Sequence, residues 1–133
     1  KKEFVFNFEQ DSNPKKISKS IEIVYGLRNF IGNANKFAKN TIFINLKSDS
    51  EITEITVEDD GDGYPRDIIS KIGEPYLKSN YSKDKSKEGL GLGLFIGKTL
   101  LEKNFASVNC RNSKTRNGAE VVIRWKNKEL FNI

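Results

Sequence analysis

Apolar and polar residues alternate near the start of the chain, in FVFNFEQ from Phe4 to Gln10. This period of two predicts a β-strand. From Ser20 to Asn40 the apolar residues instead recur every three or four positions, which is typical of one face of an α-helix. The residues that carry this helical period are Ile23, Val24, Leu27, Phe30, Ile31, Ala34, Phe37 and Ala38. The chain is therefore expected to open with a strand and a long amphipathic helix.

Two more strands and a second long helix follow from the same kind of pattern. The segment TIFINLKSDSEITEITVED alternates in two halves, and the polar residues Ser48–Glu51 between them predict a hairpin turn. Pro65 opens a short predicted helix in PRDIISKI, and apolar spacing predicts a longer helix from Leu90 to Asn104. The segment SVNCRNSKTRNGAEVVIRW is expected to close as a hairpin that turns near Thr115–Gly118. Helices between antiparallel hairpins favour the α+β class, with the helices on one face of a mixed, mostly antiparallel sheet.

Residues 73–89, GEPYLKSNYSKDKSKEG, show no hydrophobic period and are rich in lysine, serine and glycine. This composition predicts a mobile loop. Pro75 and Tyr76 stand near its start, and an aromatic residue at a hinge commonly anchors a lid against the body of a protein. No internal repeat divides the 133 residues, so a single domain covering residues 1–133 is expected.

The absence of histidine from the sequence removes several classes of chemistry at once. Histidine-ligated metal sites, nucleophiles activated by histidine, and histidine general bases are all excluded within this chain. The single cysteine, Cys110, cannot form an internal disulfide, and its place in a predicted strand favours a buried thiol over a redox centre. No segment has the pattern of a signal peptide or a membrane span. A reducing compartment is the simplest expectation.

The net charge of +5 is unevenly distributed along the chain. Residues 51–67 contain seven acidic residues and one arginine, whereas residues 71–88 contain five lysines and three acidic residues. A basic run attracts polyanions, including nucleic acid. Because no recognition helix or aromatic-rich sheet accompanies the lysines, a small polyanionic ligand explains them as well. No nucleic-acid partner is predicted.

The glycine-rich segment KEGLGLGLFIGKT, residues 87–99, is a candidate phosphate-binding element. It does not match a P-loop, because Leu92 occupies the place of the leading glycine, and its glycine spacing does not match the dinucleotide-binding motif. A glycine-rich turn that opens a helix nevertheless exposes backbone N–H groups that attract anions. A flexible loop before an ordinary helix is the alternative.

Three polar residues of the first predicted helix, Asn29, Asn33 and Lys36, lie on one side of it, because they are four and three residues apart. Asparagine is a poor helix former, so two asparagines one turn apart indicate a use for their amides. Amide oxygens suit a magnesium ion that is already bound to phosphates, and the lysine suits the phosphates themselves. An ordinary solvated helix face is the alternative.

Asp59 ends the second strand of the first predicted hairpin, within the segment VEDDGDGYP. A fixed carboxylate at a strand end can accept a hydrogen bond from an exocyclic amine such as that of adenine, and Gly61 and Gly63 allow the backbone to approach a flat ring. A calcium loop is excluded, because Ile69 occupies the position of its bidentate glutamate. A plain Asp-Gly turn is the alternative.

Taken in order, the segments NFIGNANKF, DDGDGYP, GEPY and GLGLGL resemble the N, G1, F and G2 boxes of the histidine-kinase ATP-binding domain. That domain belongs to a superfamily shared with gyrase, heat-shock chaperones and mismatch-repair ATPases. The last two segments look especially like the RegB/PrrB-type redox sensor kinases of bacteria. The resemblance covers about Phe4 to Trp125 and implies a two-layer α/β sandwich with a mobile ATP lid at residues 73–89.

The resemblance also implies roles for individual residues. Asp59 would accept the adenine amine, and Asn33 would be the principal magnesium ligand, with Asn29 supporting it. Lys36 would contact phosphate, which makes it a candidate catalytic residue together with the two asparagines. The ATP-binding residues implied in this way are Asn29, Asn33, Lys36, Asp59, Gly61, Gly63, Tyr76, Gly89, Gly91, Leu92, Gly93 and Leu94.

The function implied is that of a protein-histidine kinase that binds Mg-ATP and donates the γ-phosphoryl group to a histidine on a separate helical dimerisation domain. A response regulator would act downstream, and the domain would be a cytoplasmic part of an inner-membrane bacterial sensor. Asn29 stands where gyrase-like hydrolases have a catalytic glutamate, which favours a phosphoryl donor over an efficient ATPase. Gly32 stands where this kinase family often has an acidic or larger polar residue. A non-catalytic module that binds ATP and a protein partner is the alternative.

Overall fold

The computed structural model describes residues 2–10, 20–69 and 90–130. In chain order the elements are β1 (Glu3–Gln10), α1 (Ile21–Phe37), β2 (Thr41–Ser48), β3 (Ile52–Asp59), α2 (Arg66–Ile69), α3 (Leu90–Lys103), β4 (Ser107–Asn112), β5 (Ala119–Lys126) and α4 (Asn127–Leu130). The strands of these segments form one sheet in the order β1-β2-β3-β5-β4. β1 pairs parallel with β2, and the other pairings are antiparallel. No helix in these segments combines the length and hydrophobicity that a membrane-spanning helix requires.

Both hairpins and both long helices form where the hydrophobic periods predict them. The first long helix ends at Phe37, because Ala38 already has extended backbone with ψ of 146°. The second ends at Lys103, one residue before its predicted end. The short helix α4 was not predicted. The predicted lid at 73–89 lies outside the described residues.

Side chains that face the helices form the core of a two-layer sandwich. Ile44 of β2 pairs with Val57 of β3, which pairs in turn with Val121 of β5. All three side chains are buried. Phe30 of α1 and Leu101 of α3 are buried in the core that these helices form with the sheet. The predicted α+β class, with helices on one face of a mostly antiparallel sheet, is confirmed.

Trp125 of β5 anchors the end of α3 to the sheet. Its side chain is 2% exposed, and its indole N–H donates to the backbone oxygen of Asn104 at 3.1 Å. Two residues further on, the side chain of Asn127 accepts from Thr53 Oγ1 at 2.7 Å and donates to the Asp49 oxygen at 2.8 Å. These bonds hold α4 against the turn between β2 and β3.

Two glycines let α1 and α3 approach closely. A Cβ atom on Gly26 would lie 2.7 Å from Leu101 Cγ, and one on Gly97 would lie 2.8 Å from Phe30 Cε2. Neither distance is possible for a real side chain, so both positions need glycine. The close crossing places Asn33 of α1 beside α3.

Candidate functional site

A pocket opens between α1 and the end of the sheet where β3 leads into α2. Its apolar lining consists mainly of Phe30, Ala34, Phe37, Val57, Ala119 and Val121. Asn33, Asp59 and Asp62 contribute polar groups. A mainly apolar pocket with a few fixed polar groups is typical of a small-molecule site.

Asp59 places a nearly buried carboxylate in this pocket, with 3% of the residue exposed. Its Oδ1 atom accepts hydrogen bonds from the N–H groups of Gly61 at 2.8 Å and Ala119 at 3.3 Å. Among the described residues, none donates to the second carboxylate oxygen, Oδ2. One oxygen therefore fixes the carboxylate, and the other is available to a hydrogen-bond donor of a ligand.

Burial raises the pKa of Asp59 above its ordinary value, because the charged form loses hydration. The N–H groups of Gly61 and Ala119 oppose this rise in pKa, and the negative charges of Asp60 and Glu58 add to it. A ligand amine that donates to Asp59 would replace part of the lost hydration. The pocket thus favours a ligand with a hydrogen-bond donor at this point.

The two glycines after Asp59 also have structural reasons to be glycine. A Cβ atom on Gly61 would lie 2.2 Å from the carbonyl oxygen of Phe37, so a side chain does not fit between this loop and the end of α1. Gly63 has φ of 78°, in the left-handed region that favours glycine. Their approach to a flat ring stays a prediction.

Asp60 directly follows the pocket residue Asp59 but is not among the residues that line the pocket, and the sequence motifs assigned it no role. Its Oδ1 atom accepts from the backbone N–H groups of Lys39, Asn40 and Thr41 at 2.9, 3.0 and 3.2 Å. Burial raises the pKa of this carboxyl, but the hydrogen bonds outweigh that effect, and the pKa lies below its ordinary value. Asp60 thereby ties the loop after α1 to the end of β3. Because an aspartate before glycine is also a common turn residue, the DDG pattern alone does not indicate this role.

Asn33 lies where α1 faces α3, and it lines the pocket. A Cβ atom on Gly93 would sit 3.2 Å from Asn33 Nδ2 and 3.3 Å from its Oδ1, so the glycine makes room for the amide. Nδ2 is buried and has no hydrogen-bond partner among the described residues. Because an unpaired buried amide is costly, this group fits a site that a ligand completes. Nδ2 is a donor that suits a phosphate oxygen, and the predicted metal role, which belongs to the amide oxygen, stays a prediction.

Asn29 and Lys36, which were predicted to act with Asn33, are not among the residues that line the described pocket. Asn29 Nδ2 donates to the backbone oxygen of Tyr25 at 2.9 Å, within the helix. Lys36 is exposed in the last turn of α1, with Nζ 5.5 Å from the centre of the Phe37 ring. The metal role of Asn29 and the phosphate role of Lys36 stay predictions.

The segment Gly91–Leu94 is helical, so the expected turn does not form at these residues. α3 already begins at Leu90, because the leucines between the glycines favour helix. Leu94 is fully buried in the core, and a contact from it to a nucleotide would have to come from its backbone. Gly89 and Tyr76 lie outside the described residues. Phosphate binding by Gly91, Leu92, Gly93 and Leu94 stays a prediction.

Tyr64 is a pocket residue that the motif roles did not include. It is buried, and Cys110 packs against the core cluster to which Tyr64 belongs. Burial raises the pKa of Tyr64 well above its ordinary value and raises the pKa of Cys110 to about 11. The thiol is therefore protonated at neutral pH. The side chain of Cys110, predicted to be buried, is half-buried in the structure. The sequence signal that could have placed Tyr64 in the site is its position directly after the second glycine of DGDGYP.

The chain matches a protein-family model over residues 18–129, and the family is described as histidine kinase-, DNA gyrase B- and HSP90-like ATPase. The chain belongs to this family. The matched range contains all four motif segments, so the family that those motifs indicated is confirmed. Membership of this ATPase family makes the chain a nucleotide-binding domain.

Curated sensor kinases are similar to this chain in sequence. The sensor histidine kinase RegB of Cereibacter sphaeroides is 40% identical over 97 residues, which cover 69% of this chain and 21% of RegB. The sensor protein RstB of Escherichia coli is 31% identical over 99 residues, which cover 74% of this chain and 23% of RstB. The predicted resemblance to RegB-type kinases is confirmed. The chain spans about a fifth of the length of these relatives.

Solved structures of kinase domains have the same fold. The catalytic domain of the histidine kinase ThkA has a TM-score of 0.71 at 22% identity, and the match covers 92% of this chain and 80% of that one. The mycobacterial sensor histidine kinase MprB has a TM-score of 0.68 at 19% identity, covering 92% of this chain and 81% of that one. At these identities the likeness shows the fold alone, and that fold is the predicted α/β sandwich.

Proposed function

We propose that this chain is the ATP-binding catalytic domain of a sensor protein-histidine kinase. It binds Mg-ATP and donates the γ-phosphoryl group to a histidine on a separate helical dimerisation domain, from which a response regulator receives it. The observation that carries the proposal is the fixed, nearly buried carboxylate of Asp59 in an apolar pocket of a family ATPase domain. The complete protein, in this proposal, is a bacterial membrane sensor with this domain in its cytoplasmic part.

Asp59 and the apolar walls would hold the base of the nucleotide. Asp59 Oδ2 accepts the exocyclic amine of adenine, while Oδ1 stays bonded to the backbone of Gly61 and Ala119. The rings of Phe30 and Phe37 and the loop at Gly63 supply apolar and backbone surface for a flat base. A carboxylate held this firmly needs no reorganisation when the base arrives.

The phosphates would lie towards the crossing of α1 and α3. Asn33 is the residue best placed to support magnesium through its Oδ1 atom, since its amide lies at this crossing. Its Nδ2, which has no partner among the described residues, is a donor that suits a phosphate oxygen. When bound, magnesium neutralises charge on the phosphates. Lys36 and the backbone N–H groups of the glycine-rich segment add positive potential around the triphosphate. Phosphoryl transfer depends mainly on such positioning and charge neutralisation.

Two sequence features favour a phosphoryl donor over a hydrolase. Asn29 carries an amide, which cannot act as a general base towards water. The chain has no histidine, so the acceptor must come from another domain. Both features agree with a domain that holds ATP until a histidine is presented to it.

Asp59→Asn tests the base-binding role. Replacing the carboxylate by an amide removes a charge-assisted hydrogen bond to the adenine amine, so we expect the Kd for Mg-ATP to rise by about 10- to 100-fold. Isothermal titration calorimetry measures the Kd, and circular dichroism verifies the fold. Glu51→Gln is the control, because it removes one acidic group from the exposed turn between β2 and β3. Unchanged affinity in Asp59→Asn would contradict the proposal.

A phosphoryl-transfer assay distinguishes a kinase domain from a module that binds nucleotide without catalysis. The chain is mixed with ATP labelled at the γ-phosphate and the histidine-bearing helical domain of a related sensor kinase. We expect acid-labile label on the partner, and its loss when Asn33 is changed to Ala. ATP binding without any transfer of label would favour the non-catalytic module.

A further inference from the structure

The loop between β3 and α2 forms one wall of the pocket but belongs to no strand. Gly63 and Tyr64 in this loop both line the pocket, and Gly63 has left-handed backbone geometry. A wall of this kind keeps its shape only if other groups bind its backbone polar atoms. The nearest such groups come from the end of β4.

Asn112, the last residue of β4, binds both the N–H and the carbonyl group of Tyr64 with its side-chain amide. Its Oδ1 atom accepts from the Tyr64 N–H at 2.6 Å, and its Nδ2 atom donates to the Tyr64 oxygen at 3.1 Å. An amide side chain presents a donor and an acceptor side by side, as a peptide group does. Asn112 therefore pairs with Tyr64 much as a neighbouring strand would.

Two further contacts make this pairing specific. A Cβ atom on Gly63 would lie 2.8 Å from Asn112 Oδ1, so the glycine allows the amide to come this close. Two residues before Asn112, the side chain of Cys110 packs against the core cluster that contains Tyr64. β4 thus holds the backbone of Tyr64 through Asn112 and packs against its surroundings through Cys110.

We propose that Asn112 is a positioning residue for the nucleotide. It does not line the described pocket, and it acts by fixing the Gly63–Tyr64 wall that the base contacts. This inference rests on the proposed function, because it takes the ligand to be an adenine nucleotide. Its effect belongs to the base end of the site, so it is the same for ATP and ADP.

The test compares Asn112→Ala, the isosteric Asn112→Asp and the control Asn109→Ala by calorimetry with Mg-ATP and Mg-ADP. Losing both hydrogen bonds in Asn112→Ala is expected to raise the Kd of each nucleotide by about 5- to 10-fold. Asn112→Asp keeps the acceptor but turns the second contact into a repulsion between a carboxylate oxygen and the Tyr64 carbonyl oxygen, so its Kd is also expected to rise. Asn109 is an exposed asparagine of the same strand, and its removal leaves the Kd unchanged.

A purely structural role would lower the melting temperature and leave the Kd of the folded protein unchanged. The titrations are therefore run well below each melting temperature, and wild-type Kd values in folded Asn112→Ala would overturn the inference. If that variant does not fold, a wild-type Kd in Asn112→Asp overturns it. Failure of the wild-type chain to bind either nucleotide would instead overturn the proposed function.

Discussion

Two adjacent carboxylates, Asp59 and Asp60, have pKa values shifted in opposite directions. Asp59 has a raised pKa, so its contribution to folding stability is present below the unfolded pKa of about 3.9 and is lost as the pH rises through its folded pKa. Asp60 has a lowered pKa, so its contribution is present above about 3.9 and is lost as the pH falls through its folded pKa. Asp60 therefore stabilises the fold at neutral pH, whereas burial of the Asp59 carboxylate opposes folding, a cost that a binding role explains.

Asp59→Asn is expected to stabilise the ligand-free protein at pH 7 by about 1 kcal/mol, because the amide avoids the buried charge and can still accept from Gly61 and Ala119. The gain shrinks as the pH falls through the raised pKa, since the wild-type carboxyl then becomes neutral as well. Thermal unfolding of both proteins at pH 7 and pH 4 measures the difference. A stability gap of the same size at both pH values would show that charge is not its cause.

The sequence was sufficient to predict some site residues and not others, according to where their partners lie. Asp59 and Gly63, which line the pocket, belong to one local motif, so the sequence could single them out. Asp60 and Asn112 act on backbone about 20 and 48 positions away, and no local pattern reports such contacts. Their roles appear only once the fold brings the segments together.

The crossing of α1 and α3 depends on glycines at particular positions in each helix. Gly26 and Gly97 have no room for a Cβ atom, whereas a Cβ atom on Gly32 would meet nothing within 4 Å. Glycine within a helix is less stable than alanine unless close packing requires it. Gly26 and Gly97 are therefore required by the close packing of the helices, whereas Gly32 only lowers the stability of α1.

Gly97→Ala is expected to lower the free energy of unfolding by about 1–3 kcal/mol, because the new methyl group would overlap the buried ring of Phe30. Gly32→Ala serves as the matched control and is expected to raise it by about 0.5–1 kcal/mol through helix propensity. Urea denaturation followed by circular dichroism gives both values. Equal effects of the two substitutions would mean that the close crossing does not constrain Gly97.

Periodic segments were predictable from sequence, and segments fixed by tertiary contacts were not. α1 and the hairpin of β2 and β3 follow from hydrophobic spacing alone. α4 has only four residues and depends on the contacts of Asn127 with Thr53 and Asp49. Asn33 was placed on a polar helix face from its spacing, but of the three residues of that face only Asn33 is among those that line the described pocket.

The sheet ends on one side in β1, an edge strand with three exposed phenylalanines. Phe4, Phe6 and Phe8 pair in register with residues of β2 and are 40%, 57% and 66% exposed. Neighbouring rings are 6.4 and 6.3 Å apart and nearly parallel, with angles of 18° and 12°. A long edge strand with apolar side chains is a site at which chains associate.

Phe6→Lys is expected to reduce aggregation of the isolated chain, because a lysine on an edge strand opposes pairing with another strand. Light scattering at increasing protein concentration measures the onset, which should move to higher concentration. Phe105→Lys is the control, because Phe105 is 60% exposed but lies outside the edge strand, after α3. The same onset in both variants would mean that the edge strand has no special part in aggregation.

Trp125 is the only tryptophan of the sequence and lies near the C-terminal end of β5. Ala119, which lines the pocket, begins the same strand at its other end. Indole fluorescence shifts to longer wavelength when water reaches the ring. The intrinsic emission of the protein therefore reports the contact between α3 and the sheet, with no added dye. A bound nucleotide would lie at the other end of the strand and would not contact the indole. The emission of Trp125 therefore reports unfolding and is not changed directly by nucleotide in the pocket.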